Sequence, residues 1–242
     1  FWTISEVRKS AIFLLKNHLC INNEMPTYVG IFCGGKGMLE FENKFYEEGK
    51  TLIAGVDEAG RGPLAGPVCA AAVILPKGLV IEGVNDSKKL TEKKRDLLFD
   101  EIKEKAIAYS IQFANPEEID SINIRQATHK AMANAVKNLG ISPEHVLIDG
   151  NDNIPFEIPY TYIVKGDAKS QTIAAASILA KVSRDRLMVE LDKEYPEYGF
   201  AKHKGYGTKE HMAALRKYGA EPSIYRTKFI RFLDKDENEN EN

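Results

Sequence analysis

Residues 51–68 read TLIAGVDEAGRGPLAGPV, and this stretch decides how the rest of the chain is interpreted. Its first part, 52–56, is apolar enough for a buried strand that ends in two adjacent carboxylates, Asp57 and Glu58. Small and ring-locked residues follow around Arg61, and the glycines among them let backbone N–H groups approach a ligand. Because unpaired buried carboxylates are costly, a divalent cation is one partner that would hold both. The stretch therefore indicates a metal beside phosphate or sugar, and a solvated turn is the alternative.

Composition places the chain among globular proteins with one substantial core. It has 242 residues and 43% hydrophobic content, which is enough for one core with a small appendage. No apolar run approaches the ~18–20 residues that span a bilayer, so no membrane association is expected. The cysteines, at 20, 33 and 69, show no metal-ligand spacing, which favours a reducing, cytoplasmic compartment. The net charge of −2 means that any nucleic-acid surface must come from local patches.

The two ends of the chain differ from its middle. Residues 1–37 have weak periodicity and end in Gly-Gly-Lys-Gly before Met38, a run that an in-frame ribosome-binding sequence would encode. One hypothesis is that the natural protein begins at Met38 and that 1–37 is non-native or disordered. The alternative is a genuine extension that binds substrate. Residues 234–242 form an acidic low-complexity tail that we expect to be disordered.

Between these ends the pattern predicts an α/β fold. Strands are expected at 52–56, 68–75, 110–114, 145–148 and 160–165, the first three as an antiparallel meander. Helices are expected at 39–48, 91–108, 124–139 and 170–191, and Gly140 marks the end of the third. A further helix is expected to start at the Asn115-Pro116 cap, and another to end at Tyr218 after the loop at 203–210. The predicted architecture is a mixed five-stranded sheet flanked by helices over 38–195, followed by a small helical C-terminal region over 196–233.

Three apolar segments end in acidic residues: Asp57-Glu58, Asp149 and Asp167. Strands that share a sheet bring their ends together, and four converging carboxylates would repel one another unless cations lay among them. Hard ions such as Mg²⁺ or Mn²⁺ prefer oxygen ligands, so an all-carboxylate set fits them. Taken singly, Asp149 and Asp167 also fit a strand-to-turn step and the start of a helix.

Five motifs, in order, resemble those of ribonuclease HII, the bacterial type 2 ribonuclease H. They are DEAGRGPLAGP at 57–67, NDSKKL at 85–90, LIDG at 147–150, KGDAKSQTIAAASILAKVSRDR at 165–186 and HKGYGTKEH at 203–211. The resemblance covers nearly all of 50–230 and implies a ribonuclease H-like sheet with a small helical C-terminal region. Ribonuclease HIII would be expected to carry a different acid set and a large N-terminal platform, so the Gly-Arg-Gly sequence and Asp167 argue against it.

The resemblance implies a metal-dependent endoribonuclease. It would cut RNA in RNA/DNA hybrids and cut 5′ to single ribonucleotides in duplex DNA, leaving a 3′-hydroxyl and a 5′-phosphate. Asp57, Glu58, Asp149 and Asp167 would hold two Mg²⁺ or Mn²⁺ ions per site. One alternative is another metal-dependent nuclease on the same fold, which would cut all-DNA duplex. A second is a hybrid-binding protein that does not cleave.

The same resemblance assigns substrate contacts. Gly60, Arg61 and Gly62 would sense the 2′-hydroxyl largely through backbone groups, and Tyr206 would pack on the ribose at the RNA–DNA junction. Further substrate contacts are expected from Ser87, Lys88, Lys169, Ser177 and Lys204.

The remaining signals concern surroundings and partners. His203 and His211 flank the tyrosine motif and are expected to touch DNA, whereas Asp185, between two arginines, is expected in a surface ion pair. The chain is expected to act as a monomer. The aromatics in 227–233 could dock on a sliding clamp or a polymerase, but packing against the body is the favoured interpretation.

Overall fold

The computed structural model describes residues 38–85, 87–152, 154 and 156–230, and the backbone alone of residues 19–21. The described strands are β1 Leu19–Ile21, β2 Ile53–Ala59, β3 Val68–Ile74, β4 Ala108–Ala114, β5 His145–Asp149 and β6 Tyr160–Ile163. The described helices are α1 Glu40–Glu47, α2 Glu92–Lys105, α3 Pro116–Ile122, α4 Ile124–Lys137, α5 Gln171–Glu194, α6 Phe200–His203 and α7 Lys209–Tyr218. The predictions for 234–242, and for 1–37 apart from β1, lie outside the described residues.

The strands form one mixed sheet in the order β1-β4-β3-β2-β5-β6. The predicted meander is confirmed, because β2, β3 and β4 pair antiparallel and α2 is an excursion between β3 and β4. Strands β5 and β6 extend the sheet in parallel from β2. The five predicted strands are all present, and the three-residue β1 adds a sixth at the edge beside β4.

The register of the sheet brings two of the acidic residues side by side. Strands β2 and β5 are parallel, with Val56 opposite Ile148. The next residue on each strand is therefore Asp57 or Asp149, at the carboxyl ends of neighbouring strands. Such ends meet at one edge of a sheet, where α/β folds bind their ligands.

Helix α5 lies directly against β2 because Gly55 has no side chain. A Cβ at Gly55 would stand 2.2 Å from the carbonyl carbon of Thr172. Since side chains alternate along a strand, Asp57 projects to the same face as Gly55 and therefore toward α5. This close approach therefore fixes the distance between Asp57 and helix α5.

Each face of the sheet is covered by a separate core. Helices α2 and α5 bury one face around residues such as Val73, Ile102 and Ile178. Helix α4 buries the other face through Met132 and Val136. The C-terminal region has its own cluster, in which Tyr225 packs with Phe200 and with Met188 of α5. The expected helical C-terminal region is thus fixed to the far half of α5.

The first turn of α5 is held by a buried carboxylate on α1. Glu42 is fully buried, and its Oε1 accepts hydrogen bonds from Ser170 Oγ at 2.6 Å, Thr172 Oγ1 at 2.8 Å and Thr172 N at 3.0 Å. A negative charge is favourable at a helix N-terminus. Glu42 therefore anchors the end of α5 that faces β2.

We expect Glu42→Ala to lower the free energy of unfolding by about 3 kcal/mol, because it leaves buried donors without an acceptor and opens a cavity. Urea titration would measure the loss. Glu40→Ala is the matched control, since Glu40 lies exposed in the same helix turn. Equal losses in the two variants would contradict the anchoring role.

Candidate active site

Asp57 lies at the centre of the acidic cluster and is only 5% exposed. It accepts a hydrogen bond from Glu58 N at 2.7 Å and another from the Ser177 side chain. Burial raises the pKa of Asp57 well above its usual value, and the neighbouring charges of Glu58 and Asp149 raise it further. A cation at this position would lower the pKa again, because it would stabilise the ionised carboxylate.

Glu58 is also close to the Asp149 carboxylate, but two cations lie near it as well. Burial raises its pKa, the Arg61 and Lys88 charges lower it, and the Asp149 carboxylate raises it. Arg61 Nη1 lies 3.6 Å from Glu58 Oε1, and Arg61 Nη2 lies 3.4 Å from Asp152 Oδ2. Arg61 thus links the acidic cluster to the loop that follows β5.

Asp149 and Asp167 are connected through Gly166. The Gly166 N–H donates to Asp149 Oδ1 at 2.6 Å, and Asp167 follows in the 3₁₀ turn Gly166–Ala168. A side chain at 166 would collide with Ile173 of α5, because its Cβ would stand 2.6 Å from Ile173 Cδ1. Asp167 is buried, and Lys88 Nζ lies 3.9 Å from its Oδ2.

The four acidic residues offer carboxylate oxygens, the ligands that Mg²⁺ and Mn²⁺ prefer. Burial and the charges of Glu58 and Asp149 raise the pKa of Asp57, and a divalent cation would offset both causes, so the donor set fits such an ion. Among the described residues, no three His, Cys, Asp or Glu side chains form a ready-made metal cage.

The glycine-rich loop, residues 60–67, lies beside Tyr206. A Cβ at Gly62 would stand 3.8 Å from Tyr206 Cε1. The Tyr206 ring is 43% exposed, with Lys181 Nζ 5.9 Å and Arg184 Cζ 6.0 Å from its centroid. The structure therefore brings together the two motifs that were predicted to read a ribonucleotide.

Comparisons with known proteins agree with this geometry. The family model for ribonuclease HII matches residues 54–232. Ribonuclease HII of Bacillus cytotoxicus is 59% identical over 182 residues, which cover 75% of this chain and 70% of the relative.

The chain belongs to the ribonuclease HII family.

Solved structures agree with this assignment. The crystal structure of ribonuclease H2 from Pyrococcus horikoshii superposes with a TM-score of 0.66 at 29% identity, covering 76% of this chain and 97% of that one. RNase HII of Archaeoglobus fulgidus, solved in a complex with PCNA, superposes with a TM-score of 0.61 at 27% identity, covering 72% and 93%.

Family membership establishes the activity. As a ribonuclease HII, the protein is a metal-dependent endoribonuclease that cleaves RNA in RNA/DNA hybrids and at ribonucleotides embedded in DNA. The predicted ribonuclease H-like fold is confirmed by the structural relatives. Within the described residues, none of the helices has both the length and the apolar character needed to cross a membrane.

The two predicted serine contacts of ribonuclease HII are buried here. Ser87 and Ser177 are each 3% exposed, and their hydroxyl oxygens lie 2.9 Å apart. Because Ser177 also donates to Asp57, the pair forms a hydrogen-bonded chain from the Ser87–Lys89 turn to the acidic cluster. The two hydroxyl groups thereby help to orient the Asp57 carboxylate. Direct contact between these serines and substrate stays a prediction.

The three predicted lysine contacts differ in exposure. The Lys88 side chain is 80% exposed beside Asp167, where it can meet a phosphate. Lys169 Nζ donates to the Val164 carbonyl at 2.8 Å. Lys204 folds inward and donates to the Ala201 carbonyl, and its side chain is 14% exposed.

Two expectations about charged residues were wrong. Asp185 forms its ion pair with Lys181 at 2.8 Å, but it is only 6% exposed because α2 covers this face of α5. His203 and His211 do not reach the surface, because they stack on each other beneath the tyrosine motif at 4.2 Å between ring centroids. There the His211 Nδ1–H donates to the Tyr206 carbonyl at 2.9 Å, and Nε2 accepts from Tyr225 Oη at 2.9 Å.

Sequence reasoning missed two fully buried arginines, Arg184 and Arg226. One signal was available for Arg184, which lies four residues from both Ala180 and Met188 and so falls on the buried stripe of α5. For Arg226, the sequence offers no comparable pattern.

We expect acid to loosen the tyrosine motif through His211. Burial lowers the pKa of His211 to about 4, from 6.5, so the folded state binds this proton less readily than the unfolded state. Stability from the neutral ring is therefore complete above pH ~6.5 and is lost as the pH falls toward 4. Urea titrations should show that His211 accounts for about 2 kcal/mol of the loss between pH 7 and pH 5.

His211→Gln keeps a donor and an acceptor but does not titrate, so it should show a pH loss smaller by that amount. A variant whose stability falls as steeply as that of the wild type would contradict the assignment. Titrations in chelator keep binding of divalent ions out of the comparison.

Proposed function

We propose that Asp57, Glu58, Asp149 and Asp167 are the catalytic metal ligands and together bind two Mg²⁺ or Mn²⁺ ions. The observation that carries this proposal is the parallel register of β2 and β5, which sets Asp57 beside Asp149. Ions held there would supply an activated water and charge stabilisation for the leaving oxygen of a phosphodiester. Cleavage then occurs 5′ to the ribonucleotide and leaves a 3′-hydroxyl and a 5′-phosphate.

The chain's own side chains orient this acid set. The Glu58 N–H and the Ser177 hydroxyl fix the Asp57 carboxylate, and the Gly166 N–H fixes that of Asp149. Lys88 Nζ lies 3.9 Å from Asp167 Oδ2 and partly balances its charge, and the Lys88 side chain is 80% exposed. We assign it a phosphate contact, which positions the duplex without reading its sequence.

Recognition of the ribonucleotide falls to Gly60, Arg61, Gly62 and Tyr206. The 2′-hydroxyl is the group that distinguishes RNA from DNA. Backbone groups of the Gly-Arg-Gly segment bind it, and the half-exposed Tyr206 ring packs on the sugar. Lys169 and Lys204 contact neighbouring phosphates after their ammonium groups leave the Val164 and Ala201 carbonyls.

We place the enzyme in the cytoplasm, acting as a monomer on RNA/DNA hybrids and ribonucleotide-containing duplex DNA. Its role is the removal of misincorporated ribonucleotides and replication primers. Phe229 packs against the core cluster that contains Met132, which favours a structural role for the start of the aromatic segment over docking on a sliding clamp or polymerase. Residues 231–233 lie outside the described part of the chain.

We expect Asp57→Asn to lower cleavage of a DNA duplex with one embedded ribonucleotide by ~1,000-fold or more, because a metal ligand is lost. In chelator, the same variant should be at least as stable as the wild type, because it removes a buried charge that its neighbours repel. Gel analysis of the cut and urea titration would measure the two effects.

Glu190→Gln is the matched control, since Glu190 is a half-exposed carboxylate on α5 that pairs with Lys193. It should leave cleavage unchanged. Equal cutting of an all-DNA duplex by the wild type would contradict ribonucleotide recognition, and binding of hybrid without hydrolysis in Mg²⁺ would contradict the metal site.

Substitutions at Tyr206 should separate the ring from its hydroxyl. Tyr206→Phe keeps the surface that packs on the ribose, so we expect a loss in kcat/KM of about tenfold, as for one polar contact. Tyr206→Ala removes both and should lose about a hundredfold or more. Steady-state kinetics would measure both, and an Ala variant as active as the Phe variant would exclude the packing role.

A further inference from the structure

Two guanidinium groups lie beneath the glycine-rich loop, and the proposed mechanism uses neither. Arg184 of α5 is 1% exposed and Arg226 is 0% exposed. Burying a cation is costly unless its donors are satisfied. The partners of these two arginines therefore indicate what they do.

Within the described part of the chain, the two guanidinium groups donate six hydrogen bonds, and all six end on main-chain carbonyl oxygens. Arg226 donates to Gly60 at 2.6 Å, to Arg61 at 2.9 Å and to Gly66 at 2.9 Å. The bonds of Arg184 run to Ala65 at 3.0 Å, Pro67 at 2.9 Å and Lys204 at 2.9 Å. Arg226 thus holds the Gly-Arg-Gly segment, and Arg184 joins the rest of the loop to the tyrosine motif.

Arg226 belongs to a C-terminal strap, residues 224–229, that is fixed at both ends. Gly66 N donates to the Ile224 carbonyl at 2.8 Å, and Arg226 N donates to the Leu64 carbonyl at 3.0 Å. Beyond Arg226, Asp120 of α3 accepts hydrogen bonds from Thr227 N at 2.7 Å and Lys228 N at 3.2 Å. The strap therefore ties the loop to the body of the enzyme.

Planarity of the peptide bond gives the bonds of Arg226 a directional consequence. In a trans peptide, the C=O of one residue and the N–H of the next lie in one plane and point in opposite directions. Because the carbonyls of Gly60 and Arg61 point inward to Arg226, the N–H groups of Arg61 and Gly62 point away from it. Position 60 has no space for a side chain, because a Cβ there would stand 2.0 Å from Arg184 Nε. Its φ of +93° also favours glycine.

We propose that Arg226 is a positioning residue for ribonucleotide recognition. By holding the carbonyls of Gly60 and Arg61, it turns the N–H groups of Arg61 and Gly62 toward the substrate ribose. The inference rests on the proposed role of the Gly-Arg-Gly segment in sensing the 2′-hydroxyl. Arg226 itself touches no substrate, so its loss should affect discrimination between ribose and deoxyribose more than binding of duplex.

Competition kinetics with Arg226→Gln test this proposal. In Mg²⁺, one measures KM for a duplex with one embedded ribonucleotide and the inhibition constant Ki of the identical all-DNA duplex. The ratio Ki/KM reports recognition of the 2′-hydroxyl, and a change in the fraction of folded enzyme alters neither constant. We expect KM to rise about tenfold or more with Ki changed less than about twofold, since phosphate contacts are kept.

Arg226→Lys is the second variant, because it keeps the charge and the length needed for folding. An ammonium group cannot reproduce the fork that spans three carbonyls, so an intermediate fall in Ki/KM is expected. Phe45→Ala is the control, since it cuts into the core cluster around Ile53 and Leu147, away from the strap and the loop, and should leave Ki/KM unchanged.

Each remaining outcome is decisive. A wild-type Ki equal to its KM would contradict the proposed recognition of ribose, and the inference about Arg226 would fall with it. A wild-type preference that both Arg226 variants retain would overturn the positioning role alone. Parallel rises in KM and Ki would assign Arg226 to general attraction of the duplex and would also overturn it.

Discussion

The parallel register of β2 and β5 holds carboxylates that repel one another close together, and the rest of the site must withstand this repulsion. Asp57 and Asp149 are neighbours because Val56 pairs with Ile148, and little water reaches Asp57 to screen the charge. The surroundings must therefore resist relaxation of this cluster. Helix α5 does so by packing on β2 at Gly55, and Glu42 fixes the first turn of that helix. The pieces that look purely structural are thus the ones that keep the acidic residues close.

The glycine-rich loop lies between two zones of opposite charge. The acidic cluster precedes it at the end of β2, and the guanidinium groups of Arg184 and Arg226 lie beneath it. Arg61 spans part of this arrangement, because its side chain faces Glu58 while its carbonyl accepts from Arg226. Fixed backbone dipoles and buried cations hold such a segment in one conformation before substrate arrives, which reduces the cost of binding. This explains how a loop rich in glycine can keep a single conformation.

The sequence predicted the sheet and the acidic cluster because both depend on local patterns. Apolar runs that end in carboxylates mark strand ends, which is why the sequence singles out Asp57, Glu58, Asp149 and Asp167; their role as metal ligands stays a prediction. The support beneath the loop depends on partners far apart in sequence, since Arg226 and Gly60 are separated by 166 positions. The sequence neighbours of Asp185 and His211 suggested surface positions for both residues, and this was wrong because tertiary packing buries them. Only the tertiary structure reveals that main-chain carbonyls satisfy these buried arginines.

The two halves of the site therefore respond to different variables. A divalent ion bound at the carboxylates would offset the burial and repulsion that raise the pKa of Asp57, and its binding to the folded state would add stability. The loop is held differently, because the buried guanidinium groups of Arg184 and Arg226 bind its carbonyl oxygens from below. Acid changes the stability of the two halves in opposite directions. The raised pKa of Asp57 makes the folded state more stable at low pH, whereas the lowered pKa of the buried His211 makes it less stable. Under the proposed roles, loss of ribonucleotide recognition and loss of metal binding are separable failures of one enzyme, which is why a ratio of affinities can report the first without the second.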